Sequence, residues 1–393
     1  MGNKFSSLFS HNPHNFSKQH ISSTAEEYGL TKRDVLESHL WVYELYAHIQ
    51  QHSGDKCVLK GGACAQLYLP LTAQRCTADI DVGTSLTPKE LNDVLHSIRY
   101  EFNMKKFYAS YSEYIPEMVK RNGKTIPLMT FMFNLPFVYK GGKKKRAPAL
   151  KIDFLFLDTE RLDKNYVTKG ETIGLKLNYS PLCITSYSLI CDKLLTFAVN
   201  SIGLEIYKSD GFYKNIYDLF YLINSFNDIK SFERICNHFK DSAYMEFDIK
   251  KMTPINVNLL LEDILYNLYR ISIRDLSKTF EAPSKRLMKF QETALQRDIR
   301  EDLSLDTWSV MAMYLYIWTT AVKDFLTSGD YSTLSNINKI LNQYENYLTL
   351  SDKAQDMYIR TLKTEILARD NRFYLDYIEN PLRIIYLHNI ICL

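Results

Sequence analysis

Asp79-Ile80-Asp81 places two carboxylates two residues apart, flanked by Ala78 and Val82. On a strand, residues i and i+2 share a face, so both side chains point the same way and can hold one or two divalent cations. Upstream, the apolar run Cys57-Val58-Leu59 leads into Lys60-Gly61-Gly62, and Ala63 to Leu69 reads as a helix ended by Pro70. A glycine pair lets a backbone approach phosphates closely, and the helix that follows offers free N–H groups and the positive end of its dipole. A third carboxylate, Asp153, lies in Lys151-Ile152-Asp153-Phe154-Leu155-Phe156. An acid in so apolar a strand is costly unless paired or bound to metal. Three converging carboxylates beside a phosphate loop suit two-metal phosphoryl or nucleotidyl transfer. One metal activates the acceptor hydroxyl and the other neutralises the departing pyrophosphate.

Each feature alone has a plainer reading: Gly-Gly as an ordinary turn, Asp-x-Asp as a solvated strand edge. Their combination in this order is more specific than its parts. No Gly-Lys-Ser/Thr follows the glycines, so this is not a Walker A loop. No GxSxG element is present. The nine histidines show no HExxH spacing, so no zinc site is expected.

The elements that must position these groups follow from periodicity. Thr31 is an N-cap candidate for an amphipathic helix to about Gln50, with Leu36, Leu40, Val42, Leu45 and Ile49 available for one face. Arg75 to Gly83 alternates as a strand does. Thr87-Pro88-Lys89-Glu90 reads as a capping box opening a helix to about Phe102. Residues 127–139 and 150–157 read as strands, joined by the basic turn 140–146. Helices are expected over 187–199 and 214–225, and almost throughout from about 229 onward, including 257–275 and 305–326. The fold class is therefore α+β: a mixed-sheet domain over 25–228 after a polar segment 1–24, then an α-helical domain over 229–393.

A chain of 393 residues supports two domains. At 46% hydrophobic and 24% charged it has a globular composition, and a formal net charge of +3 is too small to argue for nucleic-acid binding without local patches. Seven cysteines, an odd number with no CxxC spacing, favour a reducing, cytoplasmic setting. The longest uncharged stretch, Thr307 to Val322, falls short of the roughly 18 apolar residues a membrane span needs and reads as a buried helix.

Leu59-Lys60-Gly61-Gly62, with Arg75-x-Thr77-x-Asp79-Ile80-Asp81 downstream, resembles the AbiEii/AbiGii toxin family, nucleotidyltransferases of the DNA-polymerase-β-like superfamily. Asp192-Lys193-Leu194-Leu195 is similar to that family's helical lysine motif. Lys214-Asn215-Ile216-Tyr217-Asp218-Leu219-Phe220 is similar to its basic-Asp-x-x-Asp-Leu motif, with Asn215 where the family usually has Asp. The resemblance covers about residues 30 to 225. It implies that Lys60, Gly61 and Gly62 hold a triphosphate, with Arg75, Thr77 and Asn215 as further nucleotide contacts. Asp79 and Asp81 would bind magnesium with Asp153 as the third carboxylate, Lys193 would reach the β- and γ-phosphates, and Asp218 would orient Lys193 or a metal-bound water. It also implies transfer of NMP from an NTP to tRNA or another RNA, toxin activity in toxin–antitoxin or phage abortive-infection systems, and a cognate antitoxin.

Other readings of the same residues stand beside this one. Lys193 among apolar neighbours is an ordinary snorkelling lysine, and Asp218 an ordinary helix-surface acid. Arg75 and Thr77 serve equally to cap a strand. The turn 140–146 is a solvated hairpin tip or a grip on RNA phosphates. The same fold could act on a protein or small-molecule hydroxyl. With Asn215 as the trace of lost catalysis, it could also be an inactive nucleotide-binding interaction module.

Overall fold

The computed structural model describes residues 10–104, 107–115, 126–139, 149–168, 170–204, 210–226, 228–274, 283–370 and 380–392. The basic turn 140–146 and the start of the polar segment 1–24 lie outside them. The chain forms two compact units. One contains residues 1–191, 244–253 and 288–301, the other 192–243, 254–287 and 302–393. The sequence placed a single change near residue 228. The chain first crosses from one unit to the other between Cys191 and Asp192, and two later segments return to the first.

In chain order the first unit contributes α1 (Lys18–Glu27), α2 (Arg33–Ser53), β1 (Cys57–Lys60), α3 (Gly61–Tyr68), β2 (Asp79–Thr84), α4 (Pro88–Met104), β3 (Ser110–Tyr114), β4 (Leu128–Asn134), β5 (Ala149–Phe156), β6 (Lys164–Tyr166), β7 (Glu171–Thr172), β8 (Leu175–Lys176) and β9 (Leu182–Ile184). Seven strands form one sheet in the order β3-β4-β5-β2-β1-β9-β6, while β7 and β8 pair separately. The β2–β5 and β1–β9 pairs are parallel and the rest antiparallel, so the sheet is mixed. Alternation sends Ile80, Val82, Ile152 and Phe154 into the core, all nearly or fully buried. Helix α2 packs against β1, β2 and β5. It is buried almost all round, so it also carries buried polar groups that need partners. Glu37 accepts the Val138 and Tyr139 N–H groups, and Glu44 is held by His11 and His48.

Two helix starts test the expected caps. At α4 the capping box forms: the Glu90 carboxylate accepts the Thr87 N–H at 2.7 Å, and the Thr87 hydroxyl accepts the Glu90 N–H at 3.3 Å. At α2 the N-cap is Lys32, which makes no side-chain cap bond. The Thr31 hydroxyl instead donates to the Glu292 carbonyl, a tertiary contact that takes the oxygen away from the cap.

Helix α5 (Ser186–Leu195) follows, shorter than the sequence suggested. Then come α6 (Asp210–Ser225), α7 (Ile229–Lys250), α8 (Val257–Ser272), α9 (Pro283–Ala294), α10 (Arg297–Asp302), α11 (Leu305–Ser328), α12 (Ser332–Leu348), α13 (Asp352–Arg369) and α14 (Pro381–Ile391). Within the second unit, α11 is the central helix and packs against α6, α8, α12 and α14. Trp308, Met311, Leu315, Trp318 and Val322 on it are buried. Ser304 and Thr307 cap its start, and Gly329 ends it at φ +72°. Among the described residues no helix is long and apolar enough to cross a membrane.

Candidate active site

The sheet register brings three of the expected acids onto one face. Lys60 pairs with Asp81, Asp81 with Asp153, and Asp153 with Thr130, a row across β1, β2, β5 and β4. One step along, Asp79 pairs with Lys151. Paired residues on neighbouring strands point the same way, so Asp79, Asp81, Lys151 and Asp153 share the face opposite the apolar core. Both Asp153 oxygens are engaged: Oδ1 accepts the Thr130 hydroxyl at 2.6 Å, and Oδ2 accepts the Lys151 ammonium at 2.5 Å. Burial by itself would lower the Lys151 pKa. Attraction to Asp153, the hydrogen bond to it, and the charges of Asp79 and Asp81 outweigh burial and hold the ammonium above its ordinary value. Sequence reasoning passed over Lys151, although its place two residues before Asp153 puts both on one strand face.

The glycine pair is built into this face. Gly61 has φ +66°, and a Cβ there would lie 1.9 Å from the Asp81 Oδ2. Only glycine fits, because a side chain would meet both the left-handed backbone and the carboxylate. A Cβ at Gly62 would lie 3.1 Å from the Arg75 Nη2 and 3.2 Å from the Thr77 Oγ1. The N-terminal turn of α3 is thus lined by a guanidinium and a hydroxyl, next to its own free N–H groups, which suits an anion.

Arg75 to Ala78 do not begin the strand, as the alternation suggested; β2 starts at Asp79. The preceding segment is irregular, and its backbone groups are met by side chains instead of a ladder. Gln66 Oε1 accepts the Arg75 N–H at 2.8 Å. Gln74 Nε2 donates to the carbonyls of Gln66, Leu69 and Glu171. Gln296 Nε2 donates to the carbonyls of Leu71 and Gln74, and the Cys76 N–H donates to the Ala294 carbonyl. The Arg75 guanidinium lies 5.7 Å over the Phe290 ring. Finally, His39 Nδ1 accepts the Thr77 N–H at 3.2 Å. His39 is fully buried beside Arg75. Desolvation first and the Arg75 charge second push its pKa down to about 3, so the ring is neutral at pH 7 and acts as an acceptor. No periodicity could link His39 to Thr77 across 38 positions.

Within the second unit, Lys193 and Asp218 form a buried ion pair at 2.7 Å, with side chains 6% and 0% exposed. Neither is the surface residue its bland reading proposed. The Lys193 ammonium also donates to Asn215 Oδ1 at 3.3 Å. The Asn215 amide donates to the Thr196 Oγ1 at 3.0 Å, and that hydroxyl donates to the Lys193 carbonyl at 2.6 Å. Its hydrogen spent, the Thr196 oxygen needs a donor, which an amide supplies and a carboxylate does not. Asn215 is thus integrated into the cluster that orders Lys193.

Asp79, Asp81 and Asp153 supply the oxygen donors that a hard divalent cation such as magnesium prefers, so the donor chemistry fits. Among the described residues no three His, Cys, Asp or Glu side chains are already gathered closely enough to hold an ion. Asp153 is turned to Thr130 and Lys151.

Fold and site together describe an α+β protein with a glycine turn, a paired-carboxylate strand and a third acid on the neighbouring parallel strand. The family described as "Nucleotidyl transferase AbiEii toxin, Type IV TA system" matches residues 44–305, and this chain belongs to it. No curated protein matches. Among solved structures, JHP933 from Helicobacter pylori aligns at 15% identity over 78% of this chain and 98% of its own, with a TM-score of 0.40. MenT4, a nucleotidyltransferase toxin from Mycobacterium tuberculosis, aligns at 11% identity over 82% and 98%, with a TM-score of 0.37.

Proposed function

We propose that this chain is a magnesium-dependent nucleotidyltransferase that moves NMP from an NTP to an RNA acceptor, with tRNA as the foremost candidate. The observation that carries the reading is the packing of Gly61 on the Asp81 carboxylate, with Asp153 in register beside it. It joins an anion-binding turn to a cation-binding face at van der Waals distance, and a metal–triphosphate requires both.

The α3 N-terminus, Arg75 and Thr77 receive the phosphates, and Lys60 and Gly62 line the approach. Asp79, Asp81 and Asp153 would hold magnesium, which when bound assists the acceptor hydroxyl and neutralises charge on the leaving group. The acceptor oxygen forms a bond to the α-phosphorus, and the bond from that phosphorus to the α,β-bridging oxygen breaks, releasing pyrophosphate. Lys193, ordered by Asp218 and Asn215, takes the phosphate-contacting role that the resemblance implies. A cognate antitoxin is the expected partner of a chain in this family.

The test incubates purified protein with magnesium, total tRNA and each α-labelled NTP in turn, beside an Asp79→Ala/Asp81→Ala variant. Label that enters RNA with one nucleotide and disappears in the variant supports the reading. Label in protein or in a small molecule instead redirects the acceptor. No transfer to any acceptor refutes the enzyme reading and leaves a nucleotide-binding module.

A further inference from the structure

We propose that Lys151 is the resident counter-cation of the Asp79, Asp81 and Asp153 face, and that a divalent metal enters that face only by displacing its ammonium from Asp153. The inference rests on the metal-dependent reading above and deepens it by naming what regulates metal entry.

Three observations converge. Lys151 is the register partner of Asp79 and lies two residues from Asp153 on the same strand face, so its side chain shares that face with all three acids. Its ammonium lies 2.5 Å from one Asp153 oxygen, and Thr130 takes the other, leaving that carboxylate no uncommitted oxygen. A magnesium–oxygen bond is about 2.0–2.1 Å, so an ion on the oxygen that Lys151 holds would sit within about 4.6 Å of the ammonium. Two like charges that close repel strongly on a partly buried surface. The lysine also has somewhere to go. Its side chain is 40% exposed, against 16% for Asp153, so it can swing into solvent without carrying its charge through the core. The flexible four-carbon stem and strong hydration of an ammonium favour that exit.

A lysine here therefore has two effects. It relieves repulsion among the acids before metal arrives, and it weakens metal binding by the cost of its own displacement. Site loading then needs a higher free metal concentration than three bare carboxylates would require. Lys151 is accordingly a positioning residue that acts through Asp153, and its signature is metal affinity rather than turnover.

The experiment measures Mn2+ binding to the purified full chain, without nucleotide, by the electron paramagnetic resonance signal of the free ion. Lys151→Met should bind Mn2+ at least about tenfold more tightly than the wild type, the effect expected of one removed cation at this range. Lys151→Gln, which keeps a hydrogen bond to Asp153 but no charge, should do the same if the methionine variant folds poorly. Lys151→Arg should stay near the wild type. In EDTA, the neutral variants should melt at lower temperature than the wild type, and saturating Mn2+ should abolish the difference. Affinity unchanged or weakened in both neutral variants, with binding lost in Asp81→Asn, overturns the proposal and leaves the metal reading standing. Mn2+ binding that is absent in the wild type, or undiminished in Asp81→Asn, overturns the metal reading and this proposal with it.

Discussion

Replacing Gly61 with alanine should separate two costs that the structure makes calculable. The first is conformational. At φ +66° an L-residue with a Cβ loses about 1–2 kcal/mol relative to glycine. The second is steric. The new Cβ would lie 1.9 Å from the Asp81 Oδ2, 2.7 Å from its Cγ and 2.9 Å from its Cβ. Rotating the carboxylate clears the first two contacts but not the third, so β2 itself must shift. That strand is held by ladders to β1 on one side and β5 on the other, which makes the shift expensive. Together these give a stability loss of about 2–4 kcal/mol, read by urea denaturation. Nucleotide transfer should fall further than stability. A displacement of about 1 Å at a reacting group costs on the order of 10²-fold, read by label incorporation under conditions where both proteins remain folded. Gly62→Ala is the matched control. Its backbone is unstrained and its nearest neighbours are side-chain tips at 3.1 and 3.2 Å, so its stability should stay within about 1 kcal/mol of the wild type. A Gly61→Ala protein as stable as Gly62→Ala, with full transfer activity, would refute the close-packed link between the turn and Asp81.

Three further outcomes are expected. Asp218→Ala strands the Lys193 ammonium in a buried site and should cost about 3–5 kcal/mol in urea melts, while Lys193→Met/Asp218→Leu should recover most of it. Asn215→Asp puts an acceptor against the Thr196 oxygen and should lower stability by about 1 kcal/mol at pH 7; adding Thr196→Ala should remove that penalty, and a double-mutant cycle without coupling would sink the idea. His39 has its folded pKa depressed from 6.5 to about 3, so the stability held by its neutral ring is present above pH 6.5 and drains away as pH falls towards 3. The full gap of 3.5 units corresponds to at most about 5 kcal/mol. His39→Gln can still accept the Thr77 N–H and does not titrate, so its melting temperature should vary less over that window than the wild type's.

How much of this was legible in the sequence depends on the range of the interaction. Gly61, Asp79-x-Asp81 and the Thr87–Glu90 box are local, and spacing alone revealed them. Asp153 stood out because an acid among Ile152, Phe154 and Phe156 requires a reason. Lys151 was within reach by the same two-residue rule, but a lysine on a strand attracts no notice until its neighbours' charges are counted. His39 was out of reach: it lies in a helix whose apolar pattern explains the residues around it, and its partner is a backbone N–H on an irregular segment. The reading of Arg75 to Ala78 as strand failed for a related reason. Its backbone N–H groups go to the Gln66 and His39 side chains and to the Ala294 carbonyl, which stand in for the ladder that alternation suggested. Asn215 was read as a possible loss of function, because its hydroxyl neighbour Thr196 is adjacent only once α5 and α6 are folded.

The ties from Ala294 and Gln296 to the loop before β2 carry a consequence for the order in which the protein is made. Leu71, Gln74 and Cys76 leave the ribosome early, yet the groups that complete their hydrogen bonding arrive more than 200 residues later. A nascent chain stopped short of residue 290 lacks these pins, and it also lacks the Phe290 ring beneath Arg75. The loop that lines the N-terminal turn of α3 is then left unfinished until most of the polypeptide exists. Completion of this loop therefore waits on translation of residues 290–296, and a chain cut short before them carries the glycine turn without those ties.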